Sequence, residues 1–134
     1  MKKVMIFGTF DIFHIGHLKF IKQAKELGDK LIVVISRDNN VRKIKDKKPV
    51  HNEQHRKEIL NSIKYIDKAI LGNKDDVYKV IKKNKPDIIA LGYDQSHFVD
   101  KLDSKLKEFN LNTKVVRLEP YQEDKFKSSK IRNK

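Results

Sequence analysis

The sequence predicts a doubly wound α/β domain, a five-stranded parallel sheet with helices on both faces. Three observations lead there. Five short apolar runs punctuate the chain: Val4 to Phe7, Leu31 to Ile35, Ala69 to Gly72, Asp87 to Leu91 and Lys114 to Leu118. They are continuous rather than alternating, as in strands buried on both faces, and segments of helical apolar periodicity separate them. Between the first run and the first helical segment lies Gly8-Thr9-Phe10-Asp11-Ile12-Phe13-His14-Ile15-Gly16-His17. A glycine-bearing strand-to-helix turn of this kind sits at the ligand-binding edge of such a sheet.

The elements follow in order. Leu18, Ile21, Ala24 and Leu27 form the stripe of the first helix, and Gly28 is placed to end it. Leu31 to Ile35, rich in β-branched residues, is the second strand. Val41 to Pro49 carries too few apolar residues for a core helix and reads as a solvated cationic loop. Asn52 caps a helix from Glu53 to Ile63, with Ile59, Leu60 and Ile63 inward and Arg56 within it. Asp75 caps the next, with Val77, Val80 and Ile81 inward and Pro86 marking its end. Phe98, Leu102, Leu106 and Phe109 give the stripe of the last helix before Lys114 to Leu118 closes the alternation. The whole, residues 1–134, is expected to be one Rossmann-like domain.

The turn after the first strand carries the chemistry. Gly8 and Gly16 permit close backbone approach, and the helix start directs N–H groups and a positive dipole end at an anion. His14 and His17, three apart at the head of a helix, point the same way and can face one ligand. The plain alternative is a turn histidine and a helix-start histidine with ordinary hydrogen bonds. A structural zinc site wants four ligands, whereas the chain has no Cys, and His51, His55 and His97 lie far off in sequence.

Two later stretches also fall at strand ends. Leu91-Gly92-Tyr93-Asp94-Gln95 follows the fourth strand, and Asp94 can accept from a base amino group or ribose hydroxyl, or form an Asx turn. Lys127-Ser128-Ser129-Lys130-Ile131 offers hydroxyls and N–H groups to phosphate, unless it is a basic terminal tail. The cationic segment with Lys45, Lys47 and Lys48 follows the second strand and shares the rim with the histidine motif.

The run from Gly8 to His17 resembles the GTFDxxHxGH signature of the cytidylyltransferase-like nucleotidyltransferases, and the resemblance extends from Val4 to Ile131. It implies transfer of a nucleotidyl group from a nucleoside triphosphate to a phosphorylated acceptor, and strand order 3-2-1-4-5. The basic segment resembles the family's mobile loop, in which a lysine contacts the triphosphate. Cytidylyltransferases of the family carry a late RTEGIS motif, where this chain has Glu119-Pro120-Tyr121-Gln122-Glu123-Asp124-Lys125-Phe126-Lys127-Ser128-Ser129. Leu91 to Gln95, Arg37-Asp38 and Lys47 to Val50 look more like the archaeal-type FAD synthase branch, whose members transfer AMP from ATP to FMN. Glycerol-3-phosphate cytidylyltransfer is the alternative. By this resemblance the ATP site comprises Thr9, Phe10, the segment His14-Ile15-Gly16-His17, Asp94 and Tyr121, with His14 and His17 catalytic. A divalent metal, Mg²⁺ or similar, helps neutralise the triphosphate, and the family's members are commonly homodimers.

Composition limits the rivals. The formal net charge of +13, from 31 Lys and Arg against 18 Asp and Glu, suits a nucleic-acid binder. Yet the lysines are spread over most helices, and aromatics do not interleave with them as a stacking platform requires. Small polyphosphates answer to the same field. No apolar run reaches the ~18 residues of a membrane span, and Met1-Lys2-Lys3 leads straight into a strand, so a cytoplasmic protein without membrane or nucleic-acid partners is expected.

Overall fold

The computed structural model describes residues 1–45, 48–74, 76–93, 95 and 99–119. In chain order these form β1 (Lys3–Gly8), α1 (Ile15–Lys25), β2 (Lys30–Ile35), α2 (Asp38–Lys45), α3 (Glu53–Asn61), β3 (Lys68–Leu71), α4 (Lys79–Asn84), β4 (Ile88–Leu91), a 3-10 turn (Val99–Lys101), α5 (Leu102–Glu108) and β5 (Lys114–Arg117). All strand pairs are parallel, in the order β3-β2-β1-β4-β5. The order reverses at β1, whose C-terminal end opens between β2 and β4. Ligands of doubly wound sheets sit at that switch point.

Alternation along the strands divides the core in two. Val4 and Ile6 face the side covered by Ile21 and Ala24 of α1 and Leu60 of α3, whereas Met5 faces the side covered by Val80 and Ile81 of α4 and Leu102 and Leu106 of α5. The inner strands β1, β2 and β4 are thus buried on both faces, which is why they read as continuous apolar runs.

Three local expectations change. The segment read as a solvated loop begins as α2, in which Val41 is buried. It carries few apolar residues, and tertiary groups hold its head: the Asp38 N–H donates to Glu53 Oε1 at 2.9 Å, and Glu53 N–H returns a bond to Asp38 Oδ2 at 3.2 Å. Val77 is exposed rather than inward, since α4 starts later and Tyr78 takes the buried place. Gly28 follows α1 without the left-handed conformation of a helix-ending glycine. Glycine is needed there because a Cβ would lie 2.9 Å from Lys2 O and 2.8 Å from Val4 Cγ2. The Asn52 cap stands, accepting from His55 N at 2.8 Å, although α3 ends at Asn61. Asp75 and Phe98 lie outside the described residues.

Asp67, just before β3, staples two elements: Lys25 Nζ of α1 and Leu31 N of β2 both donate to Oδ2, at 2.8 and 2.7 Å. The Lys25 hydrogen bond, then the Leu31 N–H, holds its carboxyl below the ordinary value. A depressed carboxylate contributes stability that is complete above the unfolded value, about pH 4, and is lost as pH falls through the lower folded value. Thermal melts taken from neutral pH downward should therefore hold level to about pH 4 and then decline. Asp67→Asn should lower the plateau and flatten the decline; an identical acid limb in the variant would show that Asp67 is not linked to folding.

Candidate active site

β1 ends at Gly8, and the next six residues carry the chain across the sheet's edge into α1. Gly8 is needed there because a Cβ would fall 2.7 Å from the Phe10 ring, which is buried against the core. Phe10 and Ile12 have φ of 54° and 49°, in the left-handed region that non-glycine residues rarely occupy. Each such residue costs of order 1–3 kcal/mol, and such strain persists where surrounding bonds over-determine the backbone.

Those bonds are visible. Both oxygens of Asp11 accept backbone N–H groups from a segment some forty residues away, Val50 N at 2.6 Å and His51 N at 2.9 Å. Partial burial pushes the Asp11 carboxyl up, but these two N–H groups and the positive charges of His51 and Arg56 outweigh it and leave the carboxyl below its ordinary value. From the other side, Arg56 of α3 is 1% exposed and reaches four acceptors. It donates to Thr9 O and Ser36 O at 2.9 Å each, to His51 O at 3.0 Å, and to Asp38 Oδ1 at 2.6 Å. One guanidinium thereby joins the chain leaving β1, the chain leaving β2 and the head of α2. Glu53 extends the network to Arg37, whose Nε donates to Gly72 O past the end of β3.

On this base the histidines form a reciprocal cap. His14 is the N-cap of α1, its Nδ1 accepting from Gly16 N at 3.1 Å, while His17 Nδ1 accepts from His14 N at 3.2 Å. The rings stack with centroids 3.9 Å apart, and Phe10 and Phe13 flank His17 at 5.4 Å. A ring nitrogen that accepts an N–H carries no proton, so Nε2 is the nitrogen that each ring has left to donate from. Two stacked imidazoles at the positive end of a helix are an arrangement that can receive a phosphoryl group.

Gly16 is part of the same fit, since a Cβ there would lie 2.9 Å from His14 Cε1 and 3.1 Å from Nδ1. Gly16→Ala should gain about 0.5–1 kcal/mol of helix propensity but displace the ring and its cap bond, worth about as much, so stability should change little. A displacement near 1 Å costs about 10²-fold in rate. Urea unfolding and turnover measured on the same preparation would check this; a stabilised variant at full turnover would contradict it.

At the other wall of the switch point, Gln95 bridges β4 and β1, its Oε1 accepting from Gly92 N at 3.1 Å and its Nε2 donating to Phe7 O at 3.2 Å. Arg117 Nη1 donates to Gly92 O at 2.7 Å and Gln95 O at 2.8 Å. Together they tie Gly92 and Gln95 to the ends of β1 and β5.

The structure thus brings Thr9, Phe10, His14, Ile15, Gly16 and His17 together. Lys48 is exposed two residues before the Asp11-bound Val50. Lys45 ends α2, with its side chain outside the description. Lys47, Asp94, Tyr121, Ser128 and Ser129 lie outside the described residues. Sequence reasoning gave no role to Arg56 or to the Asp11 clamp. The available signal was Arg56 four residues before Leu60, a charge on the helix's buried stripe.

The sequence pattern of the family described as cytidylyltransferase-like matches residues 5–134. Among curated proteins, the FAD synthase of Archaeoglobus profundus is 46% identical over 96% of this chain and 82% of that protein. The FAD synthase of Archaeoglobus fulgidus is 49% identical over 85% of this chain and 82% of its own length. Among solved structures, one described as the lipopolysaccharide core biosynthesis protein from Thermoplasma volcanium superposes with a TM-score of 0.84 at 41% identity, covering 90% of this chain and 98% of that one.

Proposed function

The chain belongs to the cytidylyltransferase-like family, and from that membership we propose that it is an FMN adenylyltransferase, moving AMP from ATP to FMN with release of pyrophosphate. The observation that carries the reading is its near-full-length similarity to archaeal proteins named FAD synthase.

The site's chemistry suits the reaction. An oxygen of the FMN phosphate attacks the α-phosphorus of ATP, a P–O bond forms as the bond to the departing pyrophosphate breaks, and charge builds on the α-phosphoryl oxygens. The acceptor is already ionised, so neither a nucleophilic side chain nor a general base is required. The Nε2–H groups of His14 and His17 donate to the developing charge, held by the cap before substrate arrives. Thr9, Phe10, Ile15 and Gly16 supply the backbone that surrounds the phosphates.

The remaining assignments extend this reading. Asp94 and Tyr121 meet the nucleoside, with Tyr121 offering an aromatic face to adenine. Ser128 and Ser129, with one or more of Lys45, Lys47 and Lys48, hold phosphate oxygens. A divalent cation such as Mg²⁺, brought by the triphosphate, would supply neutralisation of its charge. Asp11, the acidic residue of the turn, is engaged by backbone amides. The excess of 13 positive charges serves anionic small molecules rather than nucleic acid. A cytoplasmic homodimer is part of the proposal; no helix among the described residues is long and apolar enough to cross a membrane.

The test supplies ATP with FMN, and CTP with glycerol 3-phosphate, in separate reactions containing Mg²⁺. FAD and pyrophosphate should appear in the first. CDP-glycerol without FAD would transfer the assignment to the cytidylyl branch.

A further inference from the structure

Three large apolar side chains stand in solvent around the histidine turn. Ile12 is 57% exposed, Ile15 56% and Val50 69%. Two of them belong to the Asp11 clamp: Ile12 is the chain neighbour of Asp11, and Val50 is held through its own N–H. Ile15 opens α1 between His14 and Gly16. Folding does not place Ile12 outward for its own stability, because a β-branched residue at a φ of 49° is disfavoured and its side chain stays more than half exposed. Outliers of this kind cluster at ligand sites, where the strain serves binding.

We infer that Ile12, Ile15 and Val50 form an apolar rim that receives the isoalloxazine ring of the acceptor, an inference that rests on the adenylyltransferase reading. Chemistry selects this occupant. The acceptor must bring its phosphate to the histidines, and its other end is a broad, flat, largely apolar ring that needs a water-excluding surface within the reach of a ribityl chain. Ile12 and Ile15 flank His14 in the chain, and exposed Lys48, two residues before Val50, adds a positive charge to that segment. A second protein copy fits worse: three side chains fall far short of the ~800 Å² per partner of a stable interface.

The test measures FMN affinity by quenching of flavin fluorescence, and ATP affinity and FAD formation in parallel, for the wild type and for Ile12→Asn, Ile15→Thr and Val50→Thr. Asparagine tolerates the left-handed backbone, so Ile12→Asn should fold at least as stably as the wild type. Ile12→Asn and Val50→Thr should bind FMN about tenfold more weakly with ATP affinity unchanged, while Ile15→Thr, whose backbone belongs to the ATP site, should lose about tenfold in FMN affinity beyond any loss for ATP. Riboflavin, which has the ring without the phosphate, should compete with FMN on the wild type and lose that ability on the variants. Unchanged FMN affinity in variants of an enzyme that makes FAD would overturn the rim and leave the activity standing. A shift in sedimentation with FMN affinity intact would assign the patch to a contact between copies and also overturn it. A wild type that neither binds FMN nor makes FAD would refute the reading beneath both.

Discussion

Replacing His14 or His17 by alanine is expected to lower the rate of adenylyl transfer by about 10²–10³-fold, the loss of one preorganised donor to a charge that develops only in the transition state. Each alanine also removes half of the reciprocal cap, so stability should fall by about 1 kcal/mol. The two effects can be separated. Asparagine is a good N-cap and glutamine a good partner three residues on, so His14→Asn and His17→Gln should keep the cap while lacking the imidazole Nε2–H. Rates should collapse in these variants with urea midpoints near the wild type's. Because both residues serve one phosphoryl group, the double variant should lose little beyond either single one. Full turnover in His14→Asn would remove His14 from the mechanism.

The second large effect is expected at Arg56. Arg56→Ala leaves the Asp38 carboxylate and the carbonyls of Thr9, Ser36 and His51 without their donor. Removing one partner of a buried ion pair costs about 3–5 kcal/mol, a large part of the 5–15 kcal/mol available to a domain of this size. At a urea slope of about 1–3 kcal/mol per molar, the midpoint should fall by roughly 2 M. Arg56→Lys keeps the charge but not the planar fork that spans four acceptors. It should fold at lower stability and show a reduced kcat, because Thr9 and the Ser36 exit lose their common anchor. Equal stability in Arg56→Ala would mean that the network is not holding the β1 and β2 exits.

These two sites mark how far local pattern reaches. The strands were legible as continuous apolar runs because α1 and α3 cover one face and α4 and α5 the other. The histidine turn was legible because a strand, two glycines and a helix start lie within a dozen residues. Its tautomers were not, since they depend on which nitrogen faces which N–H. Sheet order came only with the resemblance, because crossovers leave no trace in a single strand's composition. α2 was hidden for a different reason: Asp38-Asn39-Asn40 reads as a loop until Glu53 and Arg56, on another helix, supply its partners. The Asp11 clamp and the Arg56 anchor join residues some forty positions apart, and no periodicity records a side chain's choice of distant backbone groups.

If phosphate donors fixed at the β1 turn let an anionic acceptor take AMP directly from ATP, no adenylyl-protein intermediate forms. A single turnover with enzyme in excess over ATP labelled at its α-phosphorus, with FMN and Mg²⁺ present, distinguishes the two routes. The label is expected to pass into FAD in step with release of unlabelled pyrophosphate, with none retained on the acid-precipitated protein, and His14→Asn is expected to suppress the transfer. Label accumulating on the protein before FAD appears, or FAD that remains unlabelled while ATP is consumed, would contradict direct transfer.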